Sequence, residues 1–375
     1  MGDKIFFPNS AQFDTMNENL AKIAGVLGSQ MDVSTWKGVQ KAVRAGVAPE
    51  LFPIGTQLMV SHSVYGKHLY DVVAHNYFKS AHDKNAPTMT LMCHDMIASI
   101  QYDAPEALWS GSITSDHYTF DIDTTIGSWE RGTYLFVVDD FHGEGTLIVD
   151  GDITSPLDTL TVTVYDSDNV ARRTYSITRS TEKYTHLGSL GKELNHPHRI
   201  TYGSNNYKES AIRQFLNSSA EAGKVWKPQT KFDLKPSWAD NLAGFANGLD
   251  EEFLSCVGEV IVPCSANNTY EAPDSTTIKG EKYTVVDKFY LASQGEIFGT
   301  KANSVDDGSV LFPYYDRATN ADYIKYKDDG SPVTWWTRTA NTWSSYVEHT
   351  VRSDGTLQHG SPMYYVGCVP VCTIV

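Results

Sequence analysis

The chain has 375 residues, of which 41% are apolar and 20% are charged, as is usual for a folded globular protein. Its 45 acidic and 30 basic residues give a formal net charge of −15, so its average surface repels a nucleic-acid backbone. No apolar run approaches the roughly 18 residues that cross a membrane, so neither nucleic-acid binding nor membrane insertion is expected.

The first predicted element is a helix over residues 9–30, within a segment that we assign to residues 1–32. Apolar residues recur there in alternating steps of three and four, which is the seam of a heptad repeat. They are Phe13, Met16, Leu20, Ile23 and Leu27. Two hypotheses remain open: the helix joins copies of the chain or attaches it to virion components, or it packs on its own domain.

A second helix is predicted over 33–45, where apolar residues again follow helical spacing up to a glycine. Strands are predicted at 57–61 and 68–74, with a glycine-containing hairpin loop between them. A further apolar run at 88–92 predicts a third strand.

The pattern changes between residues 110 and 185, where helix signals disappear. Short alternating strands follow one another there, separated by turn residues; they are predicted at 117–123, 133–138, 146–149, 160–165 and 173–178. Because the pattern of the first segment resumes afterwards, we interpret 110–185 as an inserted all-β subdomain. Its acidic turn residues are interpreted as solvated carboxylates, and no metal site is predicted.

The last part of the chain begins with a predicted helix at 207–218. A loop-rich stretch is then predicted over 223–280, followed by a strand at 288–292 and a helix at 293–298. From residue 332 onwards the pattern indicates short strands between exposed loops. Trp335 and Trp336 are expected in the core, and Arg338 is expected to hold a loop through its fixed donors.

The cysteines indicate reduced, buried thiols. They are odd in number and form no CxxC pair, so neither a disulfide framework nor a structural zinc site is predicted. Cys368 and Cys372 are predicted to share one strand, about 13 Å apart and too far for a bridge. The complete set is Cys93, Cys256, Cys264, Cys368 and Cys372.

Several segments together resemble a known family. They are STWKGVQKAVRAGVAPELFPIGTQLMV (34–60), SAIRQFLN (210–217), DKFYLASQGEIFG (287–299), WWTRT (335–339), VRSDG (351–355) and GCVPV (367–371). In this order they resemble the C-type-lectin-like domains of gut phage and bacterial proteins, whose relatives include the variable proteins of diversity-generating retroelements. The resemblance implies an α+β, C-type-lectin-like fold over 33–109 and 186–375, interrupted by the inserted subdomain.

The resemblance also implies a ligand surface on two loops, 340–350 and 356–366. Whether these loops are retroelement-diversified or ordinary binding loops stays open. Aromatic side chains are expected to anchor the ligand and polar ones to select it. The residues assigned to the site are Asn341, Trp343, Ser345, Tyr346, Glu348, His349, Gln358, His359, Met363, Tyr364 and Tyr365.

The function implied is non-enzymatic binding of a protein or glycan receptor on a host or neighbouring cell, with no cofactor. Common hydrolase, zinc-protease and nucleotide motifs are absent from the sequence. The start lacks the apolar core of a secretory signal, so we expect synthesis in a bacterial cytoplasm and a place in a phage tail, or otherwise on a cell surface. The alternatives are a structural virion subunit and, less favoured, an enzyme like the formylglycine-generating oxidase that uses Cys368 and Cys372.

Overall fold

The structure is a computed structural model in which strands outnumber helices, in agreement with the α+β class predicted. It describes residues 32–104, 203–227, 235–267, 280–300, 304, 306–342 and 347–375, and the backbone of five strands between 117 and 180. The helix predicted at 9–30 lies outside the described residues. Within the described ranges, no helix has the length and apolar character needed to span a bilayer.

The elements are numbered here in chain order. The helices are α1 (Trp36–Arg44), α2 (Ala48–Leu51), α3 (Ala211–Asn217), α4 (Glu251–Cys256) and α5 (Gln294–Phe298). The first ten strands are β1 (Gln57–His62), β2 (Gly66–His75), β3 (Lys79–Ser80), β4 (Met89–Cys93), β5 (Ala98–Gln101), β6 (His117–Asp121), β7 (Gly132–Asp139), β8 (Gly143–Val149), β9 (Thr159–Tyr165) and β10 (Ala171–Ser180). The others are β11 (Val260–Asn267), β12 (Gly280–Asp287), β13 (Phe289–Leu291), β14 (Lys325–Tyr326), β15 (Pro332–Val333), β16 (Trp335–Ala340), β17 (Glu348–Val351), β18 (Leu357–Gly360), β19 (Tyr365–Cys368) and β20 (Pro370–Ile374).

The first sheet joins the beginning of the described chain to its end. Its strand order is β1-β2-β4-β20-β13, and all four pairings are antiparallel. Helix α1 begins after Thr35, whose side chain accepts a hydrogen bond from the Gly38 amide, as an N-cap residue does. The same helix reaches the end of β20, because Gln40 Nε2 donates to the Val375 carbonyl oxygen at 2.9 Å.

A second sheet carries the segment in which the ligand surface was predicted. Its strand order is β18-β17-β16-β19-β5, so β18 is at one edge and β5 at the other. Trp335 and Trp336 in β16 are fully buried, as predicted for core residues. The prediction that Cys368 and Cys372 share one strand is wrong: the extended run changes sheet at Val369, which places the two cysteines in β19 and β20.

The stretch 223–280, predicted to be rich in loops, contains α4 and β11. Strand β11 pairs with β12 and β3 in a third sheet, in the order β12-β11-β3. Alternate residues of β11 are buried, beginning at Val260 and Val262, but Pro263 directly after them weakens the strand signal in the sequence. The helix predicted over 207–218 is shorter, because Ser210 caps α3 by accepting from the Arg213 amide.

Arg338 links these layers inside the core. Its guanidinium donates to both carboxylate oxygens of Glu296 in α5, at 2.7 and 2.5 Å, and both side chains are fully buried. It also donates to the backbone carbonyls of Pro263 and Leu291. Arg338 was predicted to hold a loop through its fixed donors; these donors instead hold together α5, β11 and β13.

The strands between 117 and 180 form a sheet of their own, in the order β6-β10-β9-β8-β7. The residues that precede this segment and the residues that follow it lie next to each other. The Asp103 carboxylate accepts a hydrogen bond from the Ser204 amide at 3.0 Å, and a Cβ placed on Gly203 would lie 2.9 Å from the Ala104 carbonyl oxygen. We call residues 103–104 and 203–204 the neck. The two ends of an inserted subdomain must lie close together, as the chain ends do at the neck. The bounds 110–185 given above for the subdomain stay a prediction.

Candidate functional site

Five of the sequence-predicted site residues lie where a ligand can reach them. Tyr364 and Tyr365 expose 55% and 52% of their surface, which is unusual for large aromatic side chains. Gln358 and His359 are exposed on β18, and Met363 is half-buried. We call Gln358, His359, Met363, Tyr364 and Tyr365 the second-loop surface. The predicted loop 356–366 contains the whole of β18 and the start of β19, so the turn between these two strands is its main loop portion.

The Gln101 side chain in β5 fixes the backbone under the two tyrosines. Its Nε2 donates to the Met363 carbonyl oxygen at 2.7 Å, while its Oε1 accepts from the amide and the hydroxyl of Ser237 at 3.2 and 3.1 Å. Ser237 also hydrogen-bonds to the Tyr365 hydroxyl through its own hydroxyl. Since β19 pairs with β5 at Tyr365 and Gln101, this tyrosine is held at both its backbone and its hydroxyl.

Asp103 holds the same turn from a second side. Its amide donates to the Pro362 carbonyl oxygen at 3.1 Å, and its carboxylate accepts from the amides of Ser204 and Ala211. A further bond, from the Tyr364 amide to the Ser361 carbonyl oxygen, closes the turn. The exposed tyrosines therefore project from a backbone that is ordered before any ligand arrives.

The strand register decides which side chains share a face of the second sheet. His359 pairs with His349, Trp335 pairs with Val351, and Gly367 pairs with Trp335. Because side chains alternate along a strand, His359 and Tyr365 lie on one face and Gln358 lies on the other. The strands β18 and β19 are three strand spacings apart, or about 14 Å. A ligand that touches both strands must therefore span about 14 Å.

The structure corrects three of the predicted contact residues. Asn341, Glu348 and His349 are buried, with exposures of 2%, 0% and 2%. Glu348 and His349 belong to β17, which is covered by β18 on one side and β16 on the other. The first loop therefore spans only 341–347, and it is closed at its base by the Asn341 amide donating to the Val347 carbonyl oxygen. Trp343, Ser345 and Tyr346 lie outside the described residues.

Glu348 is the most unusual of these buried groups. Neither of its carboxyl oxygens makes a well-formed hydrogen bond with a described residue, and no described cation pairs with it. Burial raises the pKa of Glu348 well above the usual value, and the nearby Tyr102 hydroxyl and the His349 amide offset this only in part. Burial therefore favours the uncharged form of Glu348 over the carboxylate.

The two cysteines of the oxidase alternative are both inaccessible. Cys368 and Cys372 are fully buried and free. Burial raises the pKa of each thiol well above its usual value, and the nearby Cys93 raises it further. Since the thiolate is the form that binds metals and attacks substrates, both residues are in an inert environment.

Residues 173–375, more than half of the chain, match a family model described as Domain of unknown function (DUF6273). The chain belongs to the DUF6273 family. No match was found among curated proteins or among solved structures. The DUF6273 segment begins in β10 and contains the whole second-loop surface, but it does not contain β5.

The residues that sequence reasoning missed are those that support the surface. Gln101 and Asp103 precede the DUF6273 segment, and Ser237 lies in the stretch predicted to be loops. A polar residue at the end of a short strand gives no sequence signal for the partner that it will bind more than 100 residues away. The hydrogen bonds of these three residues became apparent only from the pairing of β5 with β19.

Proposed function

We propose that this DUF6273 protein is a non-enzymatic binding protein with a C-type-lectin-like fold, which holds a receptor on a host or neighbouring cell through the second-loop surface. The observation that carries this proposal is the exposed pair Tyr364 and Tyr365 on a backbone fixed by Gln101 and Asp103. Tyrosines on a fixed backbone give large contact areas and lose little entropy on binding. We further propose a place in a phage tail or on a cell surface.

Two features of the fold support the C-type-lectin-like assignment. The last strand, β20, lies in the same sheet as β1 and β2, so the beginning and the end of the domain close on each other. The segment before it, from β16 to β19, forms a separate sheet that carries the exposed turn. The first sheet thus closes the domain, while the second sheet carries the exposed turn. Binding loops on a rigid scaffold require this arrangement.

The test is binding of the labelled protein to a panel of intact gut bacteria, measured by flow cytometry. Changing both Tyr364 and Tyr365 to alanine should weaken binding about 30-fold or more, because anchor residues contribute about 2 kcal/mol or more. Tyr326→Ala is the matched control, since Tyr326 is a partly exposed tyrosine on β14. Unchanged binding by the double variant would place the ligand surface elsewhere.

The same variants separate the alternatives. A structural virion subunit predicts that the double tyrosine variant loses co-sedimentation with virion particles, while no intact cell binds the wild-type protein. The oxidase-like alternative predicts copper-dependent turnover that is lost when Cys368 and Cys372 become serine. Burial of both thiols and the raised pKa of each argue against it.

A further inference from the structure

The His62 side chain closes the turn that follows β1. His62 is the last residue of β1, and only 6% of its surface is exposed. Its Nδ1 atom accepts hydrogen bonds from the amides of Val64 and Tyr65, at 3.0 and 3.2 Å. Since a backbone amide can only donate, Nδ1 carries no proton.

The second ring nitrogen of His62 holds a different segment. Nε2 lies 2.9 Å from the Phe245 carbonyl oxygen, which can only accept, so Nε2 carries the proton. The two sets of contacts fix the imidazole as the neutral tautomer that is protonated on Nε2. One uncharged ring thus joins the turn 63–65 to a residue 183 positions later in the chain.

The neighbours of the His62 ring pack closely around it. The ring centre of Tyr65 lies 4.7 Å from that of His62, and the Phe245 ring stacks on the other ring at 5.5 Å. The Ser63 amide donates to the Gly248 carbonyl oxygen at 2.7 Å, and a Cβ placed on Gly248 would lie 3.0 Å from Cε1 of His62. A rearrangement of the imidazole therefore has to move the turn 63–65 or the segment 245–248 as well.

We propose that His62 is an acid-sensitive latch: protonation of its Nδ1 atom separates the turn 63–65 from the segment 245–248. The added proton would point at the amide protons of Val64 and Tyr65, so two hydrogen bonds are lost and a charged ring is left buried without an acceptor at Nδ1. Opening the latch hydrates the ring and uncovers the aromatic side chains of Tyr65 and Phe245. This conformational change goes beyond the proposed function.

The electrostatic surroundings of the ring agree with this direction. Burial lowers the pKa of His62 below its ordinary value of 6.5, and His68 on β2 lowers it further, while the hydrogen bond to the Phe245 carbonyl opposes both in part. In the opened chain the ring is hydrated, and its pKa returns towards the ordinary value. The latch is thus fully effective above pH 6.5, and its contribution is lost as the pH falls through the lowered pKa.

The other charged groups on the neighbouring elements do not reverse this effect. Burial raises the pKa of Tyr65 to about 12, so its hydroxyl stays neutral. Asp250 uses its carboxylate to cap α4, and Lys67 is exposed at the start of β2. Arg213 on α3 is bound to Asp287. No described carboxylate acts on the pKa of the His62 ring, so none stabilises its charged form in place.

Hydrogen–deuterium exchange of the full chain, followed by mass spectrometry, measures opening of the latch. A local readout is needed because buried acids with a raised pKa, such as Glu348, change the global stability in the opposite direction. Peptides covering 61–66 and 244–250 are compared at pH 7.5 and 5.5, after correction for the intrinsic pH dependence of exchange. We expect the opening of both segments to increase by up to about tenfold, because the open state binds a proton below pH 6.5 that the closed state excludes. Peptides from β16, whose six residues are all buried, serve as the internal reference.

Two variants assign the effect to His62. In His62→Asn the side-chain oxygen can accept from the amides two and three residues later, as in an Asx turn, but it does not titrate. The opening of 61–66 should then be the same at both pH values, whatever its absolute size. His75→Asn is the matched control, because the His75 ring also bonds to a carbonyl oxygen, that of Phe52, and burial also lowers its pKa. This control should keep the pH-dependent opening of 61–66.

The nitrogen-15 chemical shifts of the His62 ring in the wild type give a check that needs no variant. At pH 7.5 they should show a protonated Nε2 and an unprotonated Nδ1. A charged ring or the opposite tautomer at pH 7.5 would overturn the proposal. Equal opening of 61–66 at the two pH values in the wild type, or pH-dependent opening in His62→Asn, would overturn it as well. If the asparagine variant does not fold, the chemical shifts and the exchange of the wild type decide the outcome.

Discussion

Replacing Trp336 with alanine tests whether the frame behind the second-loop surface is rigid. The ring is fully buried, lies 5.5 Å from the ring of Tyr102, and donates from Nε1 to the Ile100 carbonyl oxygen at 2.9 Å. Removing a buried tryptophan ring costs about 3–5 kcal/mol. The Ile100 carbonyl would also lose its donor, which adds about 1 kcal/mol. We therefore expect Trp336→Ala to lower the free energy of unfolding by about 4–6 kcal/mol.

Urea unfolding followed by tryptophan fluorescence and circular dichroism measures this loss. Because about 5 kcal/mol can equal the entire stability of a domain, Trp336→Phe should be measured alongside. That variant keeps most of the ring but not the Nε1 donor, so a loss of about 2 kcal/mol is expected. A loss below about 2 kcal/mol for the alanine variant would contradict this reasoning. It would mean that β16 and β5 are held together by something other than this ring.

Four further outcomes are expected. Tyr364→Ala should change the free energy of unfolding by less than about 0.5 kcal/mol in the same urea assay, since its ring is exposed. Burial raises the pKa of Glu348, so wild-type stability should fall as pH rises above the ordinary value near 4.5. Glu348→Gln should reduce that fall in unfolding measured from pH 4.5 to 9, and Asp287 and Glu296, whose pKa values burial also raises, should account for the remainder. Arg338→Met should cost about 3–5 kcal/mol, and adding Glu296→Gln should restore part of it, because the single change leaves a buried charge unpaired. Replacing 110–185 by a Gly/Ser linker should preserve cooperative thermal unfolding, since the neck already holds the chain ends together; loss of any cooperative transition would contradict the insertion.

Local patterns in the sequence were enough to predict about half of the numbered elements. The helix predicted at 293–298 is α5, and a capping box between Ser293 and Glu296 forms at its start with both hydrogen bonds present. The predicted strand at 133–138 lies within β7, and the predicted helix at 33–45 contains α1. The two tryptophans before the first loop were correctly predicted to be core residues. These features depend on residues within a few positions of each other.

The failures concern features that depend on distant residues. Glu348 and His349 look like exposed loop residues in the sequence, because a polar pair gives no apolar alternation. Both lie in β17, which is flanked by β18 and β16, and Tyr102, some 250 positions earlier in the chain, lies beside Glu348. The run from Gly367 to Ile374 looked like one strand for a similar reason. The run changes sheet at Val369 because β19 pairs with β5 and β20 pairs with β4. The residues of the run do not by themselves indicate these two partners.

The neck has a practical consequence for engineering. Asp103 bonds through its carboxylate to Ser204 and through its amide to the carbonyl of Pro362, so the point where the segment between residues 104 and 203 departs is directly hydrogen-bonded to the tyrosine-bearing turn. A fluorescent protein inserted after residue 104 would be joined to the chain next to Asp103, which is hydrogen-bonded to the turn. Any shift of the turn on ligand capture would pull on both of its attachment points together. If the linker variant described above unfolds cooperatively, a reporter in the same place would turn the protein into an optical sensor for whatever its surface binds.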